Sequence, residues 1–200
     1  MVTGPDLDYS RYFWQGQKVR LRPLRKEDAE QSLISTLDSP ARQLLAMGIE
    51  LPTSVELLRS FLEARAGCKD TEGEIIFAIE TLEGIHVGGI ALHSRDDKNG
   101  LFGFAVEIGR GHRQKGYGQE AVRILLKYGF WERRYQKCNS ACADVNEASI
   151  ALHMGLGFAE EGRRRRHIFF NGQYHDEILF GITREEFDAV EEKSSLDDRT

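Results

Sequence analysis

A basic loop broken by two glycines, Arg113-Gln-Lys-Gly116-Tyr-Gly118-Gln-Glu-Ala121, joins a short apolar run, Phe102 to Ile108, to an amphipathic stretch from Tyr117 to about Trp131. The apolar run reads as a strand. The stretch after the loop places Ala121, Val122, Leu125, Leu126 and Phe130 at a period of about 3.6, a helix facing a sheet. A turn of this kind leaves the first N–H groups of the helix unbonded and points the positive end of its dipole outward. Glycine allows an anion close to the backbone, and Arg113 and Lys115 add positive charge. Arg113, Gln114, Lys115, Gly116, Tyr117 and Gly118 are therefore a candidate cradle for a pyrophosphate.

Other phosphate loops share part of this pattern. Gly111 to Gly116 has the glycine spacing of a Walker loop, but Tyr117-Gly118 stands where Lys-Ser/Thr is needed, and magnesium would have no ligand there. Gly116-Tyr-Gly118-Gln-Glu-Ala121 fits the dinucleotide fingerprint, with Asp144 as its ribose acid, somewhat further on than the usual ~20 residues. That fingerprint opens a parallel α/β domain, whereas here several strands come first.

The rest of the chain supplies the frame. Val19 to Leu24 alternates apolar and basic residues, a half-buried strand. Ala29, Leu33 and Leu37 share a helix face, and Thr53-Ser-Val-Glu56 reads as a capping box for a second helix to about Ala66. Ile75 to Thr81 and Ile85 to His93 are strands around Leu82-Glu-Gly84, and Asp96 to Gly100 is a turn before the Phe102 strand. Cys138 to Val145 is a further strand, parallel to the Phe102 strand through a helical crossover. A short helix from Asn146 or Glu147 to Leu156 follows. Phe158 to Phe170 and Tyr174 to Ile182 form a hairpin around Asn171-Gly172, and Thr183-Arg-Glu-Glu186 caps a terminal helix. The expected fold is mixed α/β: a mostly antiparallel twisted sheet with one parallel pair, flanked by helices.

Composition narrows the function. Two hundred residues, 40% of them hydrophobic, suit a single domain with its own core. A net charge of −5 argues against nucleic acid as a partner. No run approaches the ~20 apolar residues of a membrane span, and the start, Met-Val-Thr-Gly-Pro-Asp, lacks the pattern of a signal peptide. Three cysteines, with Cys138 and Cys142 four apart on one strand face, fit a reducing cytoplasm. No Cys/His cluster has zinc spacing, so no metal is expected.

Several ordered motifs resemble the GNAT N-acetyltransferase superfamily. Arg113-Gln-Lys-Gly116-Tyr-Gly118 is similar to its acyl-CoA signature, and the continuation through Glu120-Ala121 to the branch holding ribosomal-protein N-terminal (Rim-type) and spermidine acetyltransferases. Asn146-Glu-Ala-Ser149 through His153 to Gly157-Phe158 resembles that branch's Asn-x-x-Ser…Gly-Phe element, about thirty residues after the loop. Asn171 to Asp176 looks like its closing hairpin, and Val19 to Asp28 like its first strand and turn. The resemblance spans roughly residues 17–183, leaving 1–16 as an N-terminal extension and 184–200 as a C-terminal helix and tail. The extension carries Tyr9, Tyr12, Phe13 and Trp14, read as packing on the domain, with a partner surface as the alternative.

The resemblance implies a GNAT-like fold in which the two parallel strands splay apart to admit acyl-CoA. It also implies acetyl transfer from acetyl-CoA, as co-substrate, to a primary amine by direct attack in a ternary complex. The amine belongs to a small molecule or a protein N-terminus, and the protein is a monomer or homodimer. No prosthetic group is called for. Backbone groups of Val106 and Ile108 would hold the pantetheine arm, joined by Asn146 and Ser149, although Asn146 is also a good N-cap. Glu107, the carboxylate within the Phe102 strand, is the candidate general base; its plain alternative is a polar residue that attracts the amine. His153 stands where many members of the family have a tyrosine that protonates the leaving thiolate. It is either a substitute acid or a partly buried histidine bonded to backbone. Arg163 to Arg166 alternates strand faces and reads as solvated. The alternative function is a non-catalytic acyl-CoA-binding or regulatory protein of the same fold.

Overall fold

The computed structural model describes residues 8–66 and 73–197. Its strands are β1 (Val19–Arg22), β2 (Ile75–Thr81), β3 (His86–Asp96), β4 (Leu101–Ile108), β5 (Lys137–Ala143), β6 (Ala159–Phe170) and β7 (Gln173–Thr183). Its helices are α1 (Ala29–Thr36), α2 (Ser39–Ala46), α3 (Val55–Arg65), α4 (Tyr117–Lys127), α5 (Glu147–Gly155) and α6 (Arg184–Asp197). The strands form one sheet in the order β1-β2-β3-β4-β5-β7-β6. Every neighbouring pair is antiparallel except β4 and β5, which are parallel across the α4 crossover. The mixed α/β sheet expected from the sequence is the one found.

Period-two alternation divides the sheet's faces. On β2, Ile75, Phe77 and Ile79 enter the main core, which holds Val122, Leu125 and Leu126 of α4. Ala78 enters a second cluster with Leu24, Ala29 and Leu62, on the side of α1 and α3. A third cluster, Ala143, Ile168 and Phe170, receives Leu44 and Met47 from α2 and the turn after it. Thr183 and Glu186 form the capping box that starts α6: the Thr183 N–H donates to the Glu186 carboxylate at 2.8 Å, and the Glu186 N–H to Thr183 Oγ1 at 3.3 Å. Phe187 in the next turn is buried against Phe130. In the N-terminal extension Trp14 stacks between Phe77 and Tyr128, at 4.7 and 4.8 Å. Among the described residues, no helix is long and apolar enough to cross a membrane.

Several boundaries move. β1 ends at Arg22 because Pro23 has no N–H for the ladder. The cap of α3 is Ser54, not Thr53; its Oγ accepts from the Leu57 N–H at 3.2 Å. β5 stops at Ala143, two residues short of Val145, and a turn carries the chain into α5. The long helix ends its α-helical part at Lys127 and widens into a π turn over Tyr128–Glu132, where a Cβ on Gly129 would collide with the Phe102 ring. α2 is an additional helix, opened by Pro40 in its first turn. β6 shifts register between Arg164 and Ile168, so the arginine run does not simply alternate faces; Arg163 pairs with Glu160 and Arg164 with Glu177.

Candidate active site

The site begins where two parallel strands part. β4 and β5 pair only from Leu101 to Gly103 on the β4 side. Beyond Gly103 they separate, and β4 continues to Ile108 against β3 alone. The Gly109 N–H bonds to Val87 O on β3, at 2.9 Å. Hydrogen-bonding groups alternate edges along a strand, so those of Val106 and Ile108 face the gap. This is an exposed edge at the sheet's centre, suited to an extended ligand with amide groups. Ile108 O is already used: the Arg113 Nε–H donates to it at 2.9 Å.

The basic loop closes the open end of the gap. Gly116 sits at φ 81°, a left-handed conformation, and caps α4. The first N–H to find an intrahelical acceptor is that of Glu120, bonded to Gly116 O at 3.1 Å, so those of residues 117–119 remain directed outward. A Cβ on Gly118 would lie 3.3 Å from the Ile108 side chain, so this turn of α4 packs directly on β4. Arg113 reaches across to Asp38 at 2.7 Å. Lys18 joins from the start of the sheet: its ammonium donates to Lys115 O at 3.3 Å and stands 2.9 Å from where a Cβ on Gly116 would be. Glu120 fixes that approach by accepting the N–H groups of Gln17, Lys18 and Val19 at 2.9, 2.7 and 2.7 Å. Lys18 and Glu120's clamp were not signalled by local sequence, since they join segments about one hundred residues apart.

Alternation sends Glu107 to the sheet face opposite Val106 and Ile108, and so away from α4. There it meets α2. Arg42 Nη1 lies 2.5 Å from Glu107 Oε2, while Nε and Nη2 fork onto Glu50 at 2.7 and 2.5 Å. Hydrogen bonding with Glu50 first, and the charge of Glu107, hold Arg42 above its usual pKa; hydrogen bonding from Arg42 holds Glu50 below its own. Beside this cluster lies a cavity of about 560 Å³ between α2, the segment through Glu50, Val145 after β5, and the hairpin turn at Phe170 and Asn171. Among the described residues, no group of three or more His, Cys, Asp or Glu is arranged to hold a metal.

α5 forms the other arm. Asn146 is its N-cap, accepting the Ser149 N–H at 3.1 Å through Oδ1. Ser149 is half-buried on the first turn. His153, one turn further, is 2% exposed. Its ring stacks on Phe180 at 4.6 Å and 9°. Nδ1 is 2.7 Å from Ser149 O, and Nε2 is 2.8 Å from Ser140 Oγ. A carbonyl only accepts, so Nδ1 carries the proton and Nε2 accepts from the serine hydroxyl. Burial lowers its pKa and keeps it neutral. The imidazole thus presents no free N–H to the gap; of the two alternatives, its environment is that of the buried histidine bonded to backbone rather than of the substitute acid.

The comparisons with known proteins fit this geometry. Residues 18–159 match a family described as Acetyltransferase (GNAT) domain. The chain belongs to the GNAT acetyltransferase family. This GNAT protein is 34% identical over 178 residues to the SPbeta prophage-derived uncharacterized N-acetyltransferase YokL of Bacillus subtilis, covering 88% of this chain and 96% of that one. It is 27% identical over 177 residues to spermidine N(1)-acetyltransferase of Escherichia coli, covering 84% of this chain and 88% of the relative. It shares its fold with spermidine N-acetyltransferase from Vibrio cholerae, solved in complex with CoA and spermine. The TM-score is 0.74 at 20% identity, over 86% of this chain and 99% of that one.

The expected site residues of this GNAT protein fall into three groups. Val106, Ile108 and residues 113–118 meet at one end of the gap; Asn146 and Ser149 stand on the first turn of α5, with His153 buried one turn further; Glu107 lies on the opposite sheet face, bonded to Arg42 beside the cavity. Arg42, Glu50 and Asp38 come from a stretch without a motif and had no local signal.

Proposed function

We propose that the protein transfers an acetyl group from acetyl-CoA to a primary amine by direct attack in a ternary complex. The observation that carries this reading is the parting of β4 and β5 beyond Gly103, with backbone groups of Val106 and Ile108 facing the gap and a glycine-broken helix N-terminus at its end. The loop N–H groups, Lys115 and Lys18 would hold the pyrophosphate, and Asn146 and Ser149 the pantetheine arm. The thioester carbonyl then lies against the edge of β4, whose N–H groups stabilise it as it turns anionic. Glu107 accepts the ammonium proton, directly or through water, through the oxygen Arg42 leaves free. The amine lone pair forms the C–N bond, the C–S bond breaks, and the second amine proton leaves with the thiolate or to solvent. A thiol of ordinary pKa, about 8.5 for a free cysteine, needs only a hydrogen bond to depart near neutrality. His153, bonded to the Ser149 carbonyl and the Ser140 hydroxyl, then takes no part in the proton transfers and stabilises the packing of α5 on the sheet. The two described cysteines, Cys138 and Cys142, are free and buried, which supports a cytoplasmic setting.

A thiol-release assay against a panel of amines tests the reading; acetyl-CoA-dependent release is expected with at least one class. One observation favours the second reading, a non-catalytic acyl-CoA-binding protein: the family's tyrosine acid is replaced by a histidine with both ring nitrogens engaged. That reading predicts calorimetric binding of acetyl-CoA with no thiol release from any amine.

A further inference from the structure

On the acetyl-transfer reading, the cavity beside Arg42 and Glu107 receives the acceptor, and its charge limits what it can take. Arg42 and Glu50 are the charged residues of its lining, and Glu107 adjoins it through Arg42. Two carboxylates share one guanidinium, which leaves one net negative charge. Gln43 and Asn171 satisfy each other at 3.0 Å, tying α2 to the hairpin turn. Leu44, Ile49, Val145 and Phe170 make much of the remaining wall apolar. Ile49 and its neighbour Leu51 are 83% and 88% exposed, giving the mouth an apolar rim. The volume, about 560 Å³, suits a small organic molecule.

We propose that Arg42 is a specificity-determining residue that restricts the acceptor to a primary amine with a single positive charge on an apolar body, and excludes polyamines. This rests on the acetyl-transfer reading of the site. One ammonium against Glu107 leaves the cluster neutral. A second ammonium would enter a wall with no unpaired carboxylate, and an unpaired charge is expensive to bury. Breaking the Arg42–Glu50 fork to receive it would strand the guanidinium instead. An acceptor bearing its own carboxylate fares no better, because Arg42's donors on this side are already committed to Glu50 and Glu107. The apolar wall and rim receive the body of a monoamine.

The test compares phenethylamine, spermidine and β-alanine on the full chain. Binding is measured by calorimetry with the protein loaded with CoA, and kcat/KM by thiol release with acetyl-CoA. Phenethylamine is expected to exceed spermidine and β-alanine by about tenfold or more in both. Arg42→Gln frees both carboxylates and should raise the spermidine-to-phenethylamine ratio by about tenfold or more, with acetyl-CoA affinity unchanged. Glu50→Gln makes the cluster neutral before the amine enters and should weaken phenethylamine binding. A wild-type preference for spermidine or β-alanine overturns the proposal, as does an unmoved ratio in an Arg42→Gln protein that still binds acetyl-CoA. Should Arg42→Gln not hold acetyl-CoA, the wild-type order and Glu50→Gln decide. The expected order of binding without thiol release would retain this inference and remove the acetyltransferase reading instead. Absence of binding by all the amines would remove the inference.

Discussion

Glu107 and His153 show how far a residue's neighbours change its meaning. Alternation along β4 placed Glu107 opposite Val106 and Ile108, and the structure puts it there. What sequence could not supply was Arg42, sixty-five positions away, which takes one of its oxygens. If Glu107 is the base, Glu107→Gln should cut turnover by the ~10²–10⁴ of general-base loss. The deficit should narrow at high pH, where free amine is already abundant; a deficit independent of pH would assign Glu107 to positioning. His153 was legible as a departure from the family's tyrosine, with burial against backbone as one of two alternatives; sequence could not choose between them, because a histidine four residues before a glycine looks the same buried or exposed. His153→Phe keeps the ring on Phe180 and deletes both hydrogen bonds. It should destabilise by about 1–3 kcal/mol, chiefly through the unmatched Ser140 hydroxyl, since the Ser149 carbonyl keeps its helical bond. Turnover per folded molecule should hardly change. A tenfold loss of kcat, about 1.4 kcal/mol of barrier, would return the imidazole to the role of proton donor.

Elements with strong periodicity or strong caps were readable. The amphipathic face of α4, the Asn171-Gly172 hairpin and the Thr183–Glu186 box all emerge where the sequence puts them, because each is settled by contacts within a few residues. α2 was not readable: it is two turns long, carries a proline in its first turn, and packs on β5 and β6 through the partly buried Leu44, while the one side chain it buries is the polar Gln43. The loop before α4 was legible as an anion site, but its attachment to the start of the sheet was not. Gly118→Trp, whose Cβ already presses on Ile108, cannot seat its ring without displacing this turn of α4 or filling the loop, and should abolish acetyl-CoA binding by calorimetry; unchanged affinity would remove the loop as the acetyl-CoA site. Glu120→Ala tests the attachment. It strips acceptors from the N–H groups of residues 17–19 and should lower stability by about 2 kcal/mol. Trp14, which packs where this segment enters β1, should shift its emission to the red. A variant with native stability and emission would show that water replaces the carboxylate without cost.

At the scale of the whole molecule, the sheet order and its single parallel crossover follow from the sequence of elements, whereas the cavity beside Arg42 depends on segments near 40 and 170 meeting, which no local pattern announces. The same long-range burial makes the fold sensitive to mild acid. His153 lies beneath α5 against Phe180, and His86 lies between Asp28 and the β3 backbone, its Nε2 2.8 Å from Gly88 O. Burial is the largest influence on each and lowers both from the ordinary 6.5, although Asp28 opposes it at His86. The unfolded chain therefore binds protons here before the folded one does. Their stabilising contribution is complete above pH 6.5 and declines as pH falls from there towards the folded values, by up to about 1.4 kcal/mol per pH unit for each histidine. Asp28 and Glu50, whose pKa values are lowered from 3.8 and 4.5, lose their contributions only in stronger acid. Urea midpoints measured from pH 8 to pH 5 should thus hold level and then fall below about 6.5. In His153→Phe the midpoint should start lower and fall less steeply, since one of the two buried imidazoles is gone. A wild-type midpoint flat to pH 5, or an undiminished slope in His153→Phe, would mean that His153 takes up its proton as readily folded as unfolded, and the neutral stacked imidazole assigned here would have to be abandoned.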